Sequence, residues 1–154
     1  MLARIGAVEN SLVLGPIGAD HVAIRVLGRV HLGTSDYWDG NWVRTTIDVR
    51  AGGLTANVSA DLRTDEFHRF AEGLKFINDK LFGSAVLLSM EDWIDLTVKC
   101  EPNGRLIVSG EVTDQPGVGN RMVFEVHDLD QTHLSTWIAQ LTEIEAAFPV
   151  IGWP

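Results

Sequence analysis

The sequence predicts an α+β fold of about eight mostly antiparallel strands, in a curled sheet or sandwich, with two amphipathic helices. Three observations predict it. Apolar and polar residues alternate with period two over most of the chain, two segments switch to helical spacing, and those two segments match when the chain is laid on itself at an offset of 67 residues.

In chain order, Val22, Ile24 and Val26 share one face of a strand. From Trp42 to Arg50, Val43, Ile47 and Val49 fall on one side and Arg44, Thr46, Asp48 and Arg50 on the other, the pattern of a half-buried strand. Gly52-Gly53 then reads as a hairpin turn into Leu54 to Ala60, where Leu54, Ala56 and Val58 alternate with Thr55, Asn57 and Ser59. The period lengthens at Phe67, Phe70, Ala71, Leu74, Ile77 and Leu81. Thr64 precedes them as N-cap, Asp65 and Glu66 suit the positive end of a helix dipole, and Gly83 follows the end.

Ala85 to Met90 is apolar throughout and predicts a strand covered on both faces. Ile94, Leu96, Val98 and Cys100 alternate with Asp95, Thr97 and Lys99; Pro102-Asn103-Gly104 supplies turn chemistry, and Leu106, Val108 and Val112 resume the row. Met122, Phe124 and Val126 form the buried row of a last strand. Asp130 caps a second helix through Leu134, Trp137, Ile138, Leu141, Ile144 and Phe148, which Pro149 stops.

At the offset of 67, Asp61-Leu62 falls on Asp128-Leu129, Phe67 on Leu134, Phe70 on Trp137, Leu74 on Leu141, Ile77 on Ile144 and Leu81 on Phe148. Residues 1–154 are therefore read as a single α+β domain with a pseudo-repeat of 1–83 and 84–154, although any strand followed by a packed helix produces part of this pattern.

The 154 residues, 45% hydrophobic and 21% charged, suffice for one core. Twelve Lys+Arg against 21 Asp+Glu give a formal charge of -9, which repels phosphate backbones and anionic lipid heads. Neither nucleic acid nor a membrane is expected as a direct partner. A basic protein is electrostatically suited, and solubility is the other use of such a charge. Cys100 is the one cysteine, so no internal disulfide forms and a reducing cytoplasm is expected. The stretch Met1 to Gly6, soon interrupted by Glu9 and Asn10, is not expected to be a signal peptide, and no apolar run has the length of a membrane span.

No P-loop, dinucleotide fingerprint, nucleophile elbow or HExxH is present, so neither an enzyme nor a cofactor is expected. His127, Asp128, Asp130 and His133 bunch within seven residues as a metal candidate, but a strand-to-helix junction needs those acids as caps and no metal is expected. His21, His31 and His68 are isolated. Glu91, Asp92 and Asp95, and again Asp36 and Asp39, are read as a solvated acidic face, and Cys100 as a small buried hydrophobe. The most unusual segment is Asp36-Tyr37-Trp38-Asp39-Gly40-Asn41-Trp42. Its aromatics among acids make Asp36, Tyr37, Trp38 and Asp39 the candidate partner-binding residues, while Trp42 is expected in the core. The alternative is a loop entering a strand with Tyr37 or Trp38 tucked inward.

These residues, with Asp61-Leu62 before Phe67 and Phe70, Glu91 followed by Ile94-Asp95-Leu96, and Phe124 with Asp130-Gln131-Thr132-His133-Leu134, give the chain a likeness from about residue 36 to about residue 150. There it resembles the WapI-type bacterial immunity proteins and their uncharacterised relatives. The resemblance implies a cytoplasmic inhibitor of a toxin domain carried by a neighbouring gene, often a nuclease. It transfers no binding residue. A small-molecule-binding domain or minor enzyme, with an apolar pocket and the His127–His133 cluster at its mouth, is the alternative. A homo-oligomeric scaffold is the third reading.

Overall fold

A computed structural model describes residues 9–154; the signal-peptide reading of Met1 to Gly6 lies outside the described residues. Four strands, β1 (Ser11–Leu14), β2 (His21–Arg29), β3 (Trp42–Ala51) and β4 (Leu54–Arg63), form one antiparallel sheet in that order. A single-turn helix, α1 (Tyr37–Gly40), interrupts the β2–β3 connection, and α2 (Thr64–Lys80) follows β4 directly. The second half repeats the plan. Strands β5 (Gly83–Leu88), β6 (Ile94–Cys100), β7 (Arg105–Thr113) and β8 (Arg121–Asp130) make a second antiparallel sheet, and a 3-10 turn (Gln131–His133) leads into α3 (Leu134–Ala147). Eight antiparallel strands in two open sheets, each followed by an amphipathic helix, are the α+β repeat-like arrangement that the periodicity predicts.

The halves interlock because each helix packs on the first strand of the other sheet. Gln140 Oε1 of α3 accepts the Val13 N–H at 2.9 Å and Glu143 Oε1 accepts the Asn10 N–H at 2.9 Å, so α3 satisfies donors along the free edge of β1. Helix α2 lies against β5, where the missing Cβ of Gly73 leaves room for Ala85, 2.7 Å from where that atom would stand. Both sheets and both long helices contribute to one buried cluster, with Ile47, Leu62, Phe70, Leu96, Val126 and Trp137 among its members. Burying each such side chain stabilises the fold by about 1.5–3 kcal/mol relative to leaving it in water.

The turns follow their sequences. Gly52, at φ 61°, sits in the two-residue turn that sets Ala51 opposite Leu54 and hence Trp42 opposite Arg63. Near the end of β8 the register slips between Leu106 and Val108, and the extra residue is accommodated by Asp128 at φ 63°.

Four expectations change. The segment from Ala85 is covered on one face only: Ala85 and Leu87 are buried, while Val86, Leu88 and Met90 stand in solvent, because α2 packs on one side of β5 and, among the described residues, no element packs on the other. Leu54 is exposed at the hairpin tip. The N-cap of α2 is Arg63 rather than Thr64, and Leu81, read as the last helical position, is its left-handed cap at φ 60°, with Gly83 following the end as expected. Strand β1 and helix α1 carry too few alternating positions to be read from sequence.

Glu66 closes the first turn of α2. Its Oε1 accepts the Arg63 N–H at 2.8 Å and its Oε2 accepts the Met90 N–H at 2.7 Å, which joins the helix start to the loop before β6. The carboxyl is buried, and desolvation raises its pKa above the ordinary 4.5 despite those two N–H donors. Removing the acceptor in Glu66→Ala is expected to cost about 2–3 kcal/mol, since two enclosed N–H groups lose their partner. A raised carboxyl pKa contributes stability at low pH that is lost as pH rises from 4.5 through the folded value. The stability difference between wild type and Glu66→Gln, measured by urea unfolding, therefore shrinks across that window.

Candidate functional site

The distinctive aromatic segment forms a corner held from beneath by one buried cation. Asp36 caps α1, its Oδ2 accepting the N–H groups of Trp38 and Asp39 at 3.0 Å each. Tyr37 and Trp38 meet edge to face with ring centroids 5.0 Å apart. Under them lies Arg63, 0% exposed, the cross-strand partner of Trp42. Its guanidinium carbon is 5.1 Å from the centre of the Tyr37 ring, 5.5 Å from that of Trp38 and 5.0 Å from that of Trp42. Arg63 Nη1 donates to the Trp38 carbonyl at 2.7 Å, Nη2 to the Tyr37 carbonyl at 2.9 Å, and Nε to Asp65 Oδ1 at 2.9 Å. Arg69 engages the other oxygen of Asp65 at 3.0 Å. The buried charge is thus paired, hydrogen-bonded and walled by three aromatic faces, the conditions under which an interior guanidinium is tolerated.

A second clamp fastens the segment after α3 to the same corner. Asn41, fully buried, donates from Nδ2 to the carbonyls of Tyr37 and Ile151, while its Oδ1 accepts from Thr64 Oγ1 and the Ile151 N–H, all at 2.9 Å. Arg29 donates to the Gly40 carbonyl at 2.7 Å and the Pro149 carbonyl at 2.6 Å. Gly40 packs closely here: a Cβ would meet the end of the Ile151 side chain and stand 3.0 Å from the Thr34 carbonyl oxygen, so a larger residue would require Ile151 to move. Just beyond, Gly152 lies against Tyr37, and Trp153 is 89% exposed.

The corner therefore presents a selected surface. Trp38 is 52% exposed, and Asp36 and Asp39 are exposed beside it, whereas Tyr37 and Trp42 are half-buried. Beside Tyr37 a shallow depression is bordered by His68, Arg69, Glu145 and Val150, with His68 Nδ1 2.6 Å from Glu145 Oε1 in a link between α2 and α3. The structure brings the four candidates Asp36, Tyr37, Trp38 and Asp39 together on one helical turn. Sequence reading missed Arg63, Asn41 and Arg29, which hold that turn in place.

The other candidates resolve into ordinary roles. Asp130 accepts the Thr132 hydroxyl and, at 2.9 Å, the Thr132 N–H as the cap of the 3-10 turn, and those two hydrogen bonds hold its carboxyl below the usual range. His127 pairs with Glu125 at 3.0 Å, and among the described residues no three His, Cys, Asp or Glu side chains converge as a metal set would. Cys100 is buried, and burial pushes its thiol up. An open groove of about 400 Å³ lies between β4 and β8, lined by Leu54, Ala56, Val58, Met122 and Val123. None of His127, Asp128, Asp130 or His133 borders it; Asp128 and Asp130 line a separate, polar depression with Asn103 and Arg105, so the cluster does not stand at the mouth of the apolar groove as expected. Among the described residues no helix is long and apolar enough to cross a membrane.

With this geometry in view, comparison with known proteins gives three results. The model of the immunity protein WapI-like family matches residues 13–149. No curated protein matches. The chain is similar to a solved Trypanosoma structure of MRP1/MRP2, at 16% identity with a TM-score of 0.46 over 95% of this chain and 92% of that one, a likeness too weak to bear on function. The family match begins inside β1, takes in both sheets and both long helices, and ends at Pro149, where Arg29 holds the corner. This chain belongs to the WapI-like immunity protein family.

Proposed function

We propose that the chain is a cytoplasmic inhibitor that binds a basic toxin domain and neutralises it by covering its surface, without performing chemistry. The family match over residues 13–149 is the observation that carries the reading. Two further features support it: a formal charge of -9, which suits association with a cationic protein, and a rigid corner with an exposed tryptophan flanked by carboxylates. In this reading Asp36, Tyr37, Trp38 and Asp39 form the contact region. Trp38 enters a pocket on the toxin, Asp39 meets a basic side chain at its rim, and Tyr37 and Asp36 hold the turn in shape. Two χ angles and a backbone pinned by Arg63 leave little freedom for Trp38 to lose on binding.

The reading is tested by expressing the toxin domain encoded beside this gene in a bacterial host, with and without the chain. Growth arrest relieved by co-expression is the expected result. Arrest that persists while both proteins accumulate in soluble form would remove the proposal.

A further inference from the structure

The second sheet leaves in solvent a row of side chains that a strand of its composition would ordinarily bury. Val86 and Leu88 of β5 are 45% and 57% exposed, and Met90 after the strand continues the row at the same two-residue spacing, while exposed Phe82 stands before the strand, beyond Ser84 and the left-handed Gly83. Phe76 of α2 extends it, edge to face with Phe82 at 5.4 Å. The opposite side of β5 is filled by Ala85 and Leu87, so the exposed row is a second face and not a misplaced core. Contiguous apolar surface of this kind marks an interaction site.

The neighbouring strands state what that site can accept. The register places Leu88, Asp95, Glu111 and Val123 in one row across all four strands, and Val86, Thr97, Ser109 and Glu125 in the next. Leu88, Asp92, Asp95 and Glu111 line a dent at the end of this face, where Arg121 meets Glu111 at 3.3 Å. Lys99 shares this face beside Glu101, and the half of the chain that builds it is acidic as a whole. Residues 83–154 hold 11 carboxylates against 3 Lys+Arg, a formal -8, and residues 1–82 hold 10 against 9, a formal -1. The outer side of the first sheet carries exposed Arg25, Arg44 and Arg50 instead.

We infer that the outer face of the second sheet is a docking surface for a basic protein, with the row Val86–Leu88–Met90 and the exposed Phe82 before it as its apolar anchor and Asp95, Glu111 and Glu125 as the groups that steer the partner in. The inference rests on the toxin-binding reading and adds to the corner a second contact surface, the one that carries the charge. Phosphate backbones and anionic lipid are repelled by these carboxylates. Lys99 and Arg121 stand on the same face, paired with Glu101 and Glu111, so the carboxylates left in excess suit a basic partner better than a second copy of the same acidic half.

The test uses the full chain and, as probe, the toxin domain encoded beside its gene, with association and dissociation rates measured at two ionic strengths. Two variants are compared with wild type: Asp95→Asn/Glu111→Gln/Glu125→Gln and Val86→Ser/Leu88→Ser. The first is expected to slow association on the order of tenfold at low salt and to flatten its salt dependence. The second is expected to speed dissociation on the order of tenfold, since apolar anchors act on the lifetime of a complex. Unchanged thermal midpoints would show that the variants remain folded. Wild-type rates in both variants overturn the inference and leave the toxin-binding reading standing, whereas no binding by the wild type removes that reading and this surface with it. Toxin binding unchanged while light scattering shows the serine variant turning a dimer into a monomer would assign the row to a second copy, and also overturns it.

Discussion

Replacing Arg63 with methionine is expected to destabilise the fold by about 3–5 kcal/mol, the usual cost of removing one partner from a buried ion pair. The loss has separable parts. Asp65, buried with Arg63, keeps only Arg69 on its outer oxygen; the carbonyls of Tyr37 and Trp38 lose their guanidinium donors; and three aromatic rings lose the plane they enclose. Arg63→Lys should recover little, because an ammonium cannot reach two carbonyls and a carboxylate at once with the geometry of a planar fork. In Arg63→Met/Asp65→Asn the orphaned charge is removed, and part of the stability returns. Urea unfolding of the three variants measures these differences. A loss below about 1 kcal/mol for Arg63→Met would mean that the corner is held by Asn41 and Arg29 alone.

The largest effect on binding is expected at Trp38. Trp38→Ala should weaken toxin affinity about 100-fold, the size of a central aromatic hot spot, and cost about 1 kcal/mol of stability because its ring also stacks on Arg63, a loss too small to account for the change in affinity. Asp39→Asn should act mostly on association, and less strongly, as a rim charge does. Asp36→Ala is different in kind. It removes the cap of α1 and is expected to cost about 1 kcal/mol of local stability, with any loss of affinity following from the loosened turn. Isothermal titration of the three variants, beside their melting curves, distinguishes contact from support. A Trp38→Ala variant that binds like wild type would move the contact elsewhere on the chain.

Much of this architecture is legible in the sequence because burial acts on alternate residues of a strand and on every third or fourth residue of a helix. The rows Ile94–Cys100 and Phe67–Ile77 are read correctly for that reason. Where local pattern and environment part, the reading fails. Val86 and Leu88 look buried because they are apolar, and only the position of α2 shows that one side of β5 is uncovered. Arg63 is the reverse case, a charged residue whose burial depends on three rings brought from elsewhere. A signal for it does exist: a two-residue turn at Gly52-Gly53 puts Trp42 opposite Arg63, and an arginine facing a tryptophan next to Tyr37-Trp38 is a stacking arrangement. The contribution of Ile151 to the corner has no such signal, because 110 residues separate it from Asn41. The aromatic segment was conspicuous in the sequence, whereas the framework that holds it becomes visible only in three dimensions.

Stoichiometric inhibition through the surface is the behaviour expected of this chain. It is tested most directly by titrating the purified chain against a fixed amount of active toxin domain and following toxin activity. Inhibition that grows linearly and reaches completion at one chain per toxin is the predicted result. Complete inhibition at a small fraction of that ratio would show instead that the chain is a catalyst acting on the toxin or its substrate.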